Sequence, residues 1–263
     1  MKRLQFDYCM RLDYSEPVSL GHFTLKCFPA DDARQKVLCC ETKLIPGVDY
    51  SHGSDSFGND LIYGSVREKH SMFCVKVIGE VQLMQTQYEA AAKENEIYIY
   101  RNGRGMVCPG GRIKEYYESL LPFLPDDALA RADFLMQRLH EDFAYEKGCT
   151  DADTDAQTAF MQRKGVCQDF SHIFIALCHL ASIPARYVTG LLIGEGESHA
   201  WVEVLYGDKW IGLDVTNNIP VTDSHIKFGH GRDAADCRIN KGIIYGSARQ
   251  TQIVTAVTRQ SDR

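Results

Sequence analysis

The chain has 263 residues, 44% hydrophobic and 24% charged, with 29 Lys and Arg against 35 Asp and Glu for a net charge of −6. This is the composition of an ordinary globular protein with a sizeable core, and its acidic balance argues against a broad nucleic-acid surface. No apolar run approaches the ~18 residues of a membrane span, and the start, Met1-Lys2-Arg3-Leu4-Gln5-Phe6-Asp7, meets a charge where a signal peptide needs an apolar stretch; the expectation is a cytoplasmic protein.

Residues 2–83 read as β structure. Leu4, Phe6 and Tyr8 alternate with polar residues, as do Phe23, Leu25 and Cys27, then Phe73, Val75 and Val77. Period two with one apolar face predicts half-buried strands. Turn residues separate them at Ser15-Glu16-Pro17, Pro29-Ala30-Asp31-Asp32, Pro46-Gly47 and Ser56-Phe57-Gly58-Asn59. Short strands at this spacing predict an antiparallel sandwich-like module.

Cys108-Pro109-Gly110-Gly111 breaks that texture, so we divide the chain into a β module at 1–107 and a second domain at 108–263. Between Asp126 and Tyr145, Leu129, Ala132, Met136, Leu139 and Phe143 recur at helical spacing. A second helix starts near Cys167, with Phe170, Phe174, Leu177, Cys178 and Ala181 as its apolar stripe, and stops before Pro184. Strands follow at 185–192, 199–206 and 209–216, the last two as a hairpin around Gly207-Asp208. The overall class is α+β.

The ten cysteines contain no Cys-x-x-Cys pair, and a chain of this length without an export signal has no need of disulfides. Most are read as small buried hydrophobes. Cys167 differs because it opens a helix, where free N–H groups and the helix dipole favour thiolate over thiol. A two-residue hairpin loop sets Tyr206 opposite Lys209, His199 opposite Thr216 and Trp201 opposite Asp214. His199 and Asp214 then share a face as diagonal neighbours, ~7–8 Å apart at the backbone. A carboxylate so placed can hold an imidazole, and an imidazole can serve a thiolate.

Four blocks carry a family resemblance: Gly165-Val166-Cys167-Gln168-Asp169-Phe170, Ile183-Pro184-Ala185-Arg186-Tyr187-Val188-Thr189-Gly190, His199-Ala200-Trp201-Val202-Glu203-Val204 and Trp210-Ile211-Gly212-Leu213-Asp214-Val215-Thr216-Asn217. In this order and spacing, the chain resembles the transglutaminase-like superfamily of papain-type cysteine enzymes. The segment Gly229-His230-Gly231-Arg232-Asp233 and residues 4–83 are similar to parts of its bacterial members. The resemblance implies a papain-like core preceded by a β-sandwich-like module. It implies a nucleophile at Cys167, a base at His199 and an orienting carboxylate at Asp214. It also implies a peptide or protein amide as substrate. Hydrolysis by a peptidase or amidase is the first reading, with transamidation by a transglutaminase and a non-catalytic binding scaffold as alternatives. Gln168 and Trp201 are the expected substrate-binding residues. No cofactor and no metal site are expected. The family commonly has proline after the aspartate; Val215 there predicts a looser Asp214.

Overall fold

The computed structural model describes residues 1–84, 89–93 and 96–261. Six strands open the chain: β1 (Lys2–Val18), β2 (Gly21–Leu25), β3 (Gln35–Ile45), β4 (Tyr50–Ser54), β5 (Asp60–Val66) and β6 (His70–Leu83). The short β7 (Glu89–Ala91) and α1 (Glu96–Ile99) follow, and then α2 (Gly111–Leu120) and α3 (Ala128–Asp142). Next come β8 (Ala144–Tyr145), α4 (Ala156–Gln162), β9 (Lys164–Gly165) and α5 (Cys167–Leu180). The second half is β10 (Ala185–Leu192), β11 (Gly194–Gly196), β12 (His199–Tyr206), β13 (Lys209–Asp214), β14 (Ile219–Pro220), β15 (His225–Gly231), β16 (Asn240–Ile244) and β17 (Gln250–Gln260).

The expected sandwich is present. One sheet has the order β11-β17-β1-β6-β3 and the other β16-β2-β5-β4. Alternation along β1 turns Leu4, Phe6, Tyr8, Met10 and Leu12 inward, where they meet Phe23, Leu25, Ile62, Val66 and Phe73 in one apolar core. The division at 107/108 does not follow this sheet pairing, because the end of the chain returns. β17 pairs antiparallel with β1 from Leu4↔Gln260 to Tyr14↔Gln250, and β16 pairs with β2. The thiols also depart from expectation. Cys27, Cys74, Cys178 and Cys237 are buried, but Cys39, Cys40 and Cys108 are exposed.

The second core packs α5 against the sheet β14-β13-β12-β10-β15. Residues Phe170 to Cys178 are buried without interruption, so α5 runs through the core rather than over it. Alternation divides the two faces of the sheet. Ala200, Val202 and Val204 of β12 and Ile211 and Leu213 of β13 join the α5 core. His199, Trp201 and Glu203 face the other way, with Arg186 and Val188 as their partners across β10. That second face is polar yet closed. Glu203 is fully buried and accepts from Arg186 Nε at 2.6 Å and Lys227 Nζ at 2.7 Å, and the guanidinium of Arg186 lies over the Trp210 ring at 4.3 Å. Burial alone would keep Glu203 protonated, but the two cations lower its pKa and hold it ionised.

The sandwich docks on β15, the edge strand of the second sheet. Phe228 points into the sandwich core, edge-on to Tyr8 at 5.9 Å. Two side-chain amides then pair with the backbone of β15 as a neighbouring strand would. Gln35 accepts from the Lys227 N–H at 2.8 Å and donates to the Lys227 carbonyl at 2.9 Å; Asn59 does the same at His230, 2.8 Å each way. An edge strand is thereby covered with no strand added. Replacing Gln35 with alanine removes these bonds and a third to the Ala30 carbonyl. We expect a loss of about 2–4 kcal/mol, measured as a lowered urea midpoint.

Candidate active site

The site forms where the start of α5 meets one end of the polar sheet face. The parallel pair β8–β9 fixes the approach, and Cys167 is the first helical residue. Asp169 ties down the turn. Its Oδ2 accepts from the Val166 N–H and from Thr150 Oγ1, both at 2.7 Å. Gly165 allows this closeness, since a Cβ there would lie 2.5 Å from Asp169 Oδ2. Burial dominates the carboxyl of Asp169 and raises its pKa, against those two hydrogen bonds.

The hairpin register is the expected one, with Tyr206 opposite Lys209 and Val202 opposite Leu213. His199 and Asp214 therefore share a face. The ladder opens beyond Val202, and His199 Nε2 reaches Asp214 Oδ2 at 2.8 Å. The thiol of Cys167 lies close enough to the same ring to help raise its pKa. With Nε2 committed to Asp214, Nδ1 is the nitrogen left for sulfur. Cys167 and His199 are half-buried, and Asp214 is fully buried.

Asp214 has more partners than the hairpin supplies. Its Oδ2 also accepts from His225 Nε2 at 3.0 Å and Asn217 Nδ2 at 2.7 Å, and Oδ1 from the Asn217 N–H at 3.2 Å. Desolvation disfavours the charge, but these donors outweigh it and hold the pKa well below the usual carboxylate range. The looser Asp214 expected from Val215 is not observed. Val215 is buried in the α5 core and Asn217 closes the turn onto the carboxylate. His225 and Asn217 were not among the expected site residues. Asn217 lies within the family-like block, but His225 comes from β15, two strands away from β12 in the sheet.

His199, Asp214 and His225 offer ligand atoms within 4.8 Å of one another, the grouping among the described residues that could gather round a metal ion. Oδ2 of Asp214 already takes three donors, so a cation would have to displace them. Of the two expected substrate contacts, Gln168 directs its amide to the carbonyls of Asp151 and Ala152 at 3.4 Å and lines an adjoining cleft. Trp201 is 1% exposed. Its ring lies edge-on to His225 at 5.3 Å, between the imidazoles and the Glu203 ion cluster, and it packs against Val188 and Val221. Gly190 makes room for it, since a Cβ there would stand 2.7 Å from the indole.

Known proteins carry the same arrangement of segments. Residues 123–215 match the transglutaminase-like superfamily core, and residues 4–82 match the bacterial transglutaminase-like N-terminal region. An uncharacterised protein of Mycobacterium leprae is 36% identical over 94% of this chain and 95% of its own length. The chain belongs to the transglutaminase-like superfamily. An uncharacterised protein of Mycobacterium tuberculosis is 27% identical over 93% of this chain and 88% of its own. The fold is also that of a Cytophaga hutchinsonii protein described as a candidate cysteine protease, with a TM-score of 0.80, 22% identity, and coverage of 100% of this chain and 93% of that one. Among the described residues no helix is long and apolar enough to cross a membrane.

The charges of the site leave a mark on stability. Burial lowers the pKa of His199, but the hydrogen bond to Asp214 and the neighbouring Cys167 outweigh it and raise the ring to about 10, from 6.5 in an unfolded chain. The folded protein thus keeps a proton that the unfolded chain gives up. The stabilisation is complete below pH 6.5 and is lost as pH rises through about 10. We expect the urea midpoint to fall across that window in the wild type, and that part of the fall to be missing in His199→Gln.

Proposed function

We propose that this protein is a cysteine-dependent amide-bond hydrolase, a peptidase or amidase, working through Cys167, His199 and Asp214. The observation that carries the reading is one imidazole bonded to a buried carboxylate, at 2.8 Å, and set beside a thiol at a helix start that raises its pKa. A structural histidine needs no such pairing. The raised pKa of His199 keeps its ring an imidazolium at neutral pH, the acid that the leaving amine needs.

The chemistry follows from those charges. The Cys167 thiolate attacks the amide carbonyl, and the carbonyl π pair moves to oxygen. The N–H groups of Cys167 and Gln168 precede the first bond at the start of α5, from Asp169 N–H to Val166 O, and are the donors available to that oxyanion. The C–N bond breaks as the His199 imidazolium gives its proton to the leaving amine. A thioester remains on Cys167. The neutral His199 then takes a proton from water and becomes imidazolium, hydroxide adds to the thioester, the C–S bond breaks to return the thiolate, and the carboxylic acid released gives its proton to solvent. Asp214 keeps its charge throughout and holds the ring in place.

On this reading the catalytic unit begins near residue 108, and the strands 240–260 belong to the sandwich. Ten free thiols suit a reducing compartment such as the cytoplasm.

Labelling by iodoacetamide, followed at each cysteine by mass spectrometry, tests the proposal. Cys167 should label fastest below pH 8, and His199→Ala should slow it by at least ~100-fold, the usual size of a base contribution. Labelling at the rate of the exposed Cys39 and Cys108, indifferent to His199, would contradict it. Peptide amides turned over with and without added primary amines then separate hydrolysis from transamidation.

A further inference from the structure

A cleft of about 460 Å³ runs beside the site, lined among others by Gln168 and Ser198, the sequence neighbours of Cys167 and His199. It is the interior of the sandwich at an edge that does not close. Register defines its walls. Opposed residues share a face, so the partners of Tyr14, Leu12, Met10, Tyr8 and Phe6 on β17 all point inward. These are Gln250, Gln252, Val254, Ala256 and Thr258. Ala256 and Thr258 are buried, Val254 is half-buried, and Gln250 and Gln252 are exposed. Across the gap, β16 turns Asn240 and Gly242 inward, opposite Leu25 and Phe23.

A sandwich places large apolar side chains at such positions. Here the inward sites of both flanking strands include two glutamines, an asparagine and a glycine beside Val254 and Ile244. Met10, Leu12, Phe23 and Phe73 lie buried beneath, and the half-buried Tyr14, Ile239, Ile244 and Val254 form the apolar floor that the groove exposes. At its inner end Gly196 pairs with Ala256, three residues before His199. The groove thus comes within one residue of Cys167 and of His199 along the chain.

We propose that this groove holds an extended peptide segment of the substrate, with an uncharged apolar side chain on the Tyr14–Ile244–Val254 floor. The inference rests on the hydrolase reading above. Side-chain amides on both walls can donate to and accept from a peptide backbone, and β16 is an edge strand in its own sheet. Charge narrows the choice. No Asp or Glu is among the described residues lining the groove, Arg238 at its mouth is paired with Asp153, Lys241 and His22 sit on the outer faces of β16 and β2, and His70 is buried with its Nδ1 on the Glu68 carbonyl. A charged side chain would lose its water on the floor with no ion to replace it.

The test uses chromogenic N-acetyl tetrapeptide anilides that vary one position among Leu, Phe, Lys and Glu. It uses wild type and two plugged variants, Gln252→Trp and Gln250→Trp, both at exposed positions. Leu or Phe should exceed Lys or Glu about ten-fold in kcat/KM, the scale of burying one apolar side chain. A plugged variant should lose that advantage while iodoacetamide labels Cys167 at the wild-type rate. Unchanged selectivity in both plugged variants, or a preference for Lys or Glu, would overturn the proposal. So would a fast-labelling Cys167 with no peptide of the panel turned over. A wild-type Cys167 that labels slowly counts against the hydrolase reading itself, so the two failures are distinguishable.

Discussion

The carboxylate of Asp214 sits out of water with a negative charge, and much of the molecule is arranged to permit this. Removing a carboxylate from water costs several kcal/mol even after the surroundings relax, and only close donors offset that. Asp214 collects them from β12, from β15 and from the turn that follows it. The charge so fixed orients His199, and the oriented ring meets the thiol at the start of α5. Each donor lies on a different segment, so the carboxylate also ties the hairpin to the sheet edge.

That edge explains why the sandwich is attached at all. β15 carries His225 to Asp214 and Lys227 to Glu203, and both of these side chains are buried. An edge strand left to solvent could not hold two such groups in place. The sandwich covers it by inserting Phe228 into its own core and by lending the amides of Gln35 and Asn59. The polar face of the second sheet is in this way sealed by side chains that are more than a hundred residues away in sequence. Trp201 serves the same face. It keeps the imidazoles apart from the Arg186–Glu203–Lys227 cluster, and with the nearer Ile226 carbonyl it leaves no room for a side chain at Gly190.

Local features were legible in the sequence, and contacts between distant segments were not. A two-residue loop at Gly207-Asp208 fixes the hairpin register, so the shared face of His199 and Asp214 followed from counting. The helix from Cys167 to Leu180 follows from its apolar spacing and the proline beyond it. Nothing local could announce His225, because its partner is set by sheet order. Trp201 was expected at a substrate wall, yet its size draws it into the interior. The strands 240–260 were missed for a different reason. Their inward positions include Asn240, Gly242, Gln250 and Gln252, which erase the alternation that marks a half-buried strand. The open edge of the sandwich and the faint strand pattern have one cause.

The central claim is electrostatic: Asp214 and Cys167 together keep His199 protonated. Nitrogen NMR of the protein labelled at its histidine rings reads this directly, with His199→Gln assigning the signal. The account predicts an imidazolium at His199 through pH 8, deprotonating near 10, and a much lower transition once Cys167 is alanine. A ring that is neutral at pH 8 and titrates near 6.5 in the wild type, unmoved by loss of the thiol, would contradict it.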